Sequence, residues 1–236
     1  MRAVILAGGR GTRLRPYTAS FPKPLMPIGE HPVLEILLRQ LRRHGVTEVT
    51  VLTGHLAYLI EAYFGDGSGL GLKLEFIRED APLGTAGPLR ALRNVIAGDF
   101  MVMNGDLLTD VDFGALVDQH RASGADVTIS TCRRPERLEL GVLTIGDDGR
   151  VTGYDEKPTL ELDVSMGLYA MSASVLDRIP EGHYDMPDLI RDLIADGRQV
   201  SSRRHDGFWL DIGRPDDFAR ANDAFAERPG DFLPDA

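Results

Sequence analysis

The sequence predicts an α/β fold, a mostly parallel sheet with helices on both faces, and three observations carry that expectation. Short apolar runs alternate with segments whose apolar residues recur at helical spacing. The first run, centred on Val4, Ile5 and Leu6, ends in Gly8-Gly9, as a buried parallel strand entering a tight turn would. The length, 236 residues, suits one large α/β domain.

Taken in order, Arg2 to Ala7 reads as the first strand, and strand-like runs recur at Val49 to Thr53, Leu72 to Ile77, Phe100 to Met103 and Asp126 to Thr131. Helical patterns lie between them. Val33-Leu34, Leu37-Leu38 and Leu41 repeat before Gly45; Leu56, Leu59-Ile60 and Tyr63-Phe64 follow; Leu89, Leu92 and Val95-Ile96 come after Gly84. The pattern changes at Gly141 to Asp155, where two short stretches flank Gly146-Asp147-Asp148-Gly149 and predict a hairpin, a small β insertion over one edge of the cleft. A strand over Val164 to Met171, helices near Ser172 to Arg178 and Pro187 to Asp196, a strand near Gln199 to Arg204 and a helix from Pro215 to Ala226 complete the expected fold. Residues 228–236, polar and proline-bearing, read as a loose tail. No internal repeat is evident, so residues 1–236 are expected to form a single domain.

Composition excludes several functions. A formal net charge of -10 argues against nonspecific nucleic-acid binding, and the basic residues gather instead in the first 43 positions. The one cysteine, Cys132, excludes an internal disulfide, and with no charged-then-apolar leader the chain is expected to be cytoplasmic. Cys132 lies beside the apolar run Val127 to Thr131, where a small core residue is the expectation. No window approaches the roughly 18 apolar residues of a membrane helix, so no membrane partner is expected.

The segment Leu6 to Pro27 carries the clearest chemistry. Gly8, Gly9 and Gly11 let backbone NH groups converge on anionic oxygens, while Arg13, Arg15 and Lys23 supply full positive charge. Arginine offers a planar fork and lysine a mobile point charge, a combination suited to polyphosphate. Arg15 suits a solvated role equally well. Two familiar glycine motifs fail here. The dinucleotide pattern G-x-G-x-x-G meets Leu14 at its third glycine, and no G-K-[ST] follows as a Walker loop needs.

The string G-G-R-G-T-R-L-R-P followed by P-K-P-L-M-P-I resembles the signature of sugar-1-phosphate nucleotidyltransferases, the nucleotide-sugar pyrophosphorylases. P-L-G-T-A-G-P-L at 82 to 89, N-G-D at 104 to 106, E-K-P at 156 to 158, S-M-G-L-Y at 165 to 169 and W-L-D-I-G-R-P at 209 to 215 follow in family order. The resemblance implies a Rossmann-like sheet, and it is to the short single-domain members without a C-terminal β-helix. Residues 1–110 would then form mainly a nucleotide-binding half and 111–227 mainly a sugar-binding half.

It also implies a reaction. A sugar-1-phosphate oxygen attacks the α-phosphorus of a nucleoside triphosphate and pyrophosphate leaves, so alignment and charge neutralisation matter more than a covalent nucleophile. By resemblance Arg13, Lys23 and Asp106 are catalytic, and Asp106 and Asp211 share a Mg²⁺ ion. Read alone, Asp106 also suits a turn residue and Asp211 a helix N-terminal cap. Nucleotide contacts are implied for Leu6, Ala7, Gly8, Gly9, Gly11, Thr12, Arg13, Glu79, Gly84 and Thr85. Sugar-phosphate contacts are implied for Asn104, Gly141, Glu156, Lys157, Ser165 and Gly167.

The base is read from Glu79. Relatives using uracil or thymine commonly carry glutamine five residues before the loop glycine; a carboxylate only accepts, which suits the two adjacent donors of guanine. GTP is therefore favoured, against a solvated Glu79, and because P-L-G-T-A-G-P-L also resembles the GDP-mannose pyrophosphorylases the resemblance implies mannose-1-phosphate, or a related hexose- or heptose-1-phosphate, as the second substrate. A UTP- or dTTP-dependent enzyme, a noncatalytic sugar-nucleotide sensor and a dinucleotide oxidoreductase are the alternatives. A homo-oligomer is left open.

Overall fold

The computed structural model describes residues 1–233. Strand β1 (Arg2–Ala7) leads through short 3₁₀ turns at Thr12–Leu14, Tyr17–Ala19 and Lys23–Leu25 to β2 (Pro27–Ile28) and β3 (His31–Pro32). Helix α1 (Val33–Arg43), β4 (Glu48–Thr53), α2 (Ala57–Phe64), β5 (Lys73–Arg78), β6 (Asp99–Asn104), β7 (Leu107–Thr109) and α3 (Phe113–Ser123) follow. The second half runs β8 (Val127–Arg137), β9 (Gly141–Ile145), β10 (Val151–Glu156), β11 (Thr159–Ser172), α4 (Met186–Ala195), β12 (Val200–Arg204), β13 (Trp209–Asp211), α5 (Pro215–Glu227) and α6 (Pro229–Phe232).

Seven strands form one sheet in the order β12-β8-β11-β6-β1-β4-β5. Strand β1 lies parallel between β4 and β6, with Val4 opposite Thr50 and Val102, and β4 pairs parallel with β5. Strand β11 runs antiparallel to β6 and β8, which makes the sheet mostly rather than wholly parallel. Alternation along β1 explains the two-layer core. Ala3 and Ile5 pack with α1 and α3 through Leu34, Leu37, Leu41 and Phe113; Val4 packs on the other face with Leu89, Leu92, Leu176, Leu189 and Leu193. A third cluster, Leu14, Ile28, Leu108, Leu210, Ile212 and Phe225, ties the turns after β1 to β7, β13 and α5.

Three expectations are corrected and one helix is added. The helix read over Leu89 to Ile96 is only a 3₁₀ segment, Gly87–Leu92, and that near Ser172 to Arg178 is another, Ala173–Arg178. Buried leucines three apart fit three residues per turn as well as 3.6, so the spacing did not separate the two helix types. Helix α3 was missed, although Phe113, Leu116, Val117 and His120 are buried at helical spacing and Asp112 caps it by accepting from the Ala115 amide at 2.9 Å. The loose tail does not begin at Arg228. Phe232 is fully buried against Phe208 and Phe225, which holds Pro229–Phe232 as a helical turn; residues 234–236 lie outside the described residues.

The expected hairpin forms as a separate two-stranded sheet, β9 with β10. Cys132 is half-buried against the core, where burial pushes its thiol pKa up, in keeping with a packing role.

Candidate active site

The carboxyl ends of β1 and β6 open into a cleft of about 440 Å³. Open parallel sheets place ligand crevices at this end, outside the carboxyl ends of the strands. Leu6, Ala7, Gly8, Gly9, Gly11, Thr12, Arg13, Glu79, Gly84 and Thr85 all line the cleft, together with Lys23, Asn104, Asp106 and Asp211. Thus every residue expected at the nucleotide lies on one surface.

The glycine turn is held by close backbone contacts. A Cβ on Gly11, where φ is +57°, would stand 2.9 Å from the Thr18 methyl, and the Thr18 hydroxyl donates to the Gly11 carbonyl at 2.7 Å. The Leu14 amide bonds the same carbonyl at 2.9 Å, and the Leu14 side chain is fully buried. The residue that broke the dinucleotide pattern is therefore the anchor that pins the turn to the third core cluster. Gly54, just after β4, packs its backbone on Gly8: a Cβ there would meet the Gly8 carbonyl oxygen at 2.7 Å. Arg13 is exposed to the cleft, with its guanidinium 3.5 Å from where a Gly213 Cβ would sit. Arg15 is exposed and is not among the cleft residues, which favours its solvated reading.

Lys23 joins the turn to two carboxylates. Asp106 follows β6, and Asp211 ends β13, which pairs antiparallel with β7 so that Asp211 lies opposite Leu107. This short ladder is what brings residues a hundred positions apart together. The Lys23 ammonium pairs with the Asp106 carboxylate and lies 3.3 Å from Asp211 Oδ1. Burial pushes the Asp106 carboxyl above the ordinary carboxylate range; Lys23 opposes the shift and the Asp211 charge adds to it. Asp106 Oδ1 is buried without a hydrogen-bond partner. Asp211 is no helix cap, since Arg214 holds the N-cap position of α5.

At the far end Glu79 follows β5 and leans on Gly8, where a Cβ would run into its Oε1. Its Oε2 accepts from the Leu83 amide at 3.2 Å, and burial pushes its pKa up against that hydrogen bond. Gly84 has φ +80°, and a Cβ there would meet the Tyr184 carbonyl at 2.6 Å.

The sugar-side residues form a second group. Asn104 lines the cleft, and its amide lies against Gly167, whose φ is +68°. The Ser165 hydroxyl contacts the Tyr169 hydroxyl at 3.1 Å at the irregularity in the β8 and β11 pairing. Gly141 lies opposite Glu156 in the hairpin, and Glu156 accepts from the Tyr154 hydroxyl at 2.8 Å. Lys157 lies 3.6 Å from Glu139. Gly141, Glu156, Lys157, Ser165 and Gly167 are not among the residues lining the nucleotide cleft. Gly141 and Glu156 lie on the hairpin, Lys157 between β10 and β11, and Ser165 and Gly167 on β11.

Five lining residues escaped the sequence reading: Pro24, Pro82, Pro88, Gly105 and His183. Gly105 was legible, since it stands inside Asn104-Gly105-Asp106, and its amide donates to the Leu6 carbonyl at 2.9 Å. His183 carried no local signal.

A cationic turn at the end of a parallel sheet, ion-paired through Lys23 with two carboxylates, is an arrangement suited to a polyphosphate and its counter-charge. Residues 2–228 match the family model described as Nucleotidyl transferase, and the chain belongs to that family. It is 37% identical over 228 residues to a mannose-1-phosphate guanylyltransferase of Mycobacterium tuberculosis, covering 93% of this chain and 63% of the relative. It is also 37% identical over 241 residues to a UTP–glucose-1-phosphate uridylyltransferase of Synechocystis sp., covering 94% of this chain and 62% of the relative. The chain therefore spans less than two thirds of the length of these curated relatives. HddC from Yersinia pseudotuberculosis, solved also in complex with GMP-PN, superposes with a TM-score of 0.76, 26% identity and coverage of 95% of this chain and 99% of its own.

Proposed function

We propose that this chain transfers a nucleotidyl group from a nucleoside triphosphate, GTP by preference, to mannose-1-phosphate or a related hexose- or heptose-1-phosphate, releasing pyrophosphate. The observation that carries the proposal is the convergence of Arg13, Lys23, Asp106 and Asp211 on one cleft with the glycine turn. Family membership and the relatives' names support the reaction class, and Glu79 supports guanine.

In this reading the amides of Gly8 to Gly11 and the Arg13 fork hold the triphosphate in line, and Lys23 neutralises the reacting phosphates. The sugar phosphate oxygen attacks the α-phosphorus and the bond to pyrophosphate breaks. Asn104, the Ser165 to Gly167 turn, Gly141, Glu156 and Lys157 hold the sugar phosphate, so 1–110 serves mainly the nucleotide and 111–227 mainly the sugar, although Asp211 crosses between them.

The acidic pair fits a hard divalent cation. Asp106 Oδ1 is buried and lacks a partner, Asp211 faces the same ammonium, and both offer only oxygen. Bound between Asp106 and Asp211, Mg²⁺ would neutralise and orient triphosphate oxygens.

Among the described residues no helix is long and apolar enough to cross a membrane; a cytoplasmic setting is supported by the single cysteine. The second reading, a UTP- or dTTP-dependent enzyme, draws on the uridylyltransferase relative. The test is purified protein with Mg²⁺, each of five nucleoside triphosphates and a panel of sugar-1-phosphates, followed by pyrophosphate release. Turnover with GTP and a manno-configured sugar phosphate is expected. Turnover with UTP or dTTP alone would select the second reading, and tight NDP-sugar binding without turnover would select a noncatalytic sensor.

A further inference from the structure

The segment Gly182 to Met186 belongs to no motif of the sequence reading, yet it is laced to the loop that follows Glu79. The Tyr184 amide donates to the Leu83 carbonyl at 2.9 Å, and the Ala86 and Gly87 amides donate to the Tyr184 carbonyl at 2.9 and 2.8 Å. The Asp185 carboxylate accepts from the Thr85 amide at 2.9 Å and from its hydroxyl at 3.1 Å, while the Met186 amide donates to that hydroxyl at 2.7 Å. The fit is tight enough to require glycine on the loop side. A Cβ on Gly84 would meet Tyr184 and Asp185, and one on Gly87 would meet the Gly182 carbonyl at 2.7 Å. Two segments a hundred residues apart therefore act as one wall of the cleft.

That wall presents His183 to the cleft, beside Pro82, Gly84 and Thr85 and at the same end as Glu79. We propose that His183 is a specificity-determining residue that donates an imidazole N–H to the O6/N7 edge of a guanine whose N1 and N2 donors face Glu79. The inference rests on the guanine reading of Glu79 and extends it. Guanine has a donor edge and an acceptor edge, and a site with an acceptor alone reads only the first. Glu79 supplies only acceptors when ionised; His183 is the one ring N–H donor among the residues lining this cleft. The Asp185 carboxylate that holds Thr85 lies near the imidazole, its Oδ2 3.9 Å from His183 Nε2. Uracil and cytosine lack the five-membered ring and its N7, and adenine presents an amine where guanine has O6.

The test compares wild-type protein, His183→Ala and His183→Gln for equilibrium binding of GTP, 7-deaza-GTP and UTP in Mg²⁺ buffer. Loss of one hydrogen bond to the base predicts GTP binding weakened about fivefold to tenfold in His183→Ala. UTP binding should stay within about twofold, and the glutamine donor should restore part of the loss. His183→Ala should also show a smaller difference between GTP and 7-deaza-GTP than the wild type does. Unchanged GTP binding in His183→Ala, or equal weakening toward GTP and UTP, would overturn the role of His183 while leaving the guanine preference standing. A wild type that binds UTP as tightly as GTP would overturn the guanine reading, and this inference with it.

Discussion

Substituting alanine for Gly54 tests how the phosphate turn is positioned. Gly54 has no left-handed backbone, so alanine introduces no conformational strain there. The new methyl would stand 2.7 Å from the Gly8 carbonyl oxygen, 3.1 Å from its Cα and 3.3 Å from its carbonyl carbon. All three are backbone atoms, so no side chain can swing away. Reaching the 3.4 Å of ordinary contact asks Gly8 and the end of β4 to separate by about 0.7 Å. Gly8 has little room to retreat, because the Glu79 carboxylate packs on it as well. Overpacking of this kind costs about 1–3 kcal/mol of stability. A displacement approaching 1 Å in a group that aligns phosphates costs on the order of 10- to 100-fold in turnover. The assays are urea unfolding, equilibrium binding of the preferred triphosphate and its turnover by pyrophosphate release, with Gly9→Ala as the comparison. No atom stands within 4 Å of a Cβ on Gly9, so that variant should unfold like wild type within about 0.5 kcal/mol. A Gly54→Ala protein that unfolds at the wild-type urea concentration and binds triphosphate as tightly as wild type would refute the steric reasoning.

Three other outcomes follow from the same geometry. Asp106→Asn removes the charge that pairs with Lys23 and a buried oxygen with no other partner, and Mg²⁺-dependent pyrophosphate release should fall about a hundredfold or more; full activity would contradict the assignment. Glu79→Gln should weaken GTP use more than UTP use. Because burial raises the Glu79 pKa above 4.5, the folded state holds its proton to a higher pH than the unfolded chain, so its favourable contribution is complete below 4.5 and is lost as pH rises through the folded value. Wild-type GTP binding should correspondingly weaken as pH falls through that value, and both dependences should vanish in Glu79→Gln, as read by urea unfolding and nucleotide titration across acid pH. Leu14→Ala opens a cavity among Ile28, Leu108, Leu210 and Ile212 and should cost about 2–5 kcal/mol in urea unfolding; a loss under 1 kcal/mol would mean the turn is held by its hydrogen bonds alone.

The chain itself determined the parts whose signal is local. Short apolar runs placed the strands of the sheet, because a parallel strand buried on both faces must be apolar throughout, and the glycines with Arg13 and Lys23 pointed to an anion-binding turn, because that backbone and that charge suit phosphate oxygens. The motif order also named the partners Asp106 and Asp211. Tertiary structure alone decided how they meet: the β7 and β13 ladder sets Asp211 beside Asp106, and Lys23 reaches both. It likewise decided that Leu14 is an anchor, that Gly54 is the floor under Gly8, and that His183 stands at the Glu79 end. Each of these depends on contacts between residues far apart in the chain, as far as the 188 positions that separate Lys23 from Asp211. Periodicity and composition describe only neighbours along the chain, so contacts made by packing leave no trace in them.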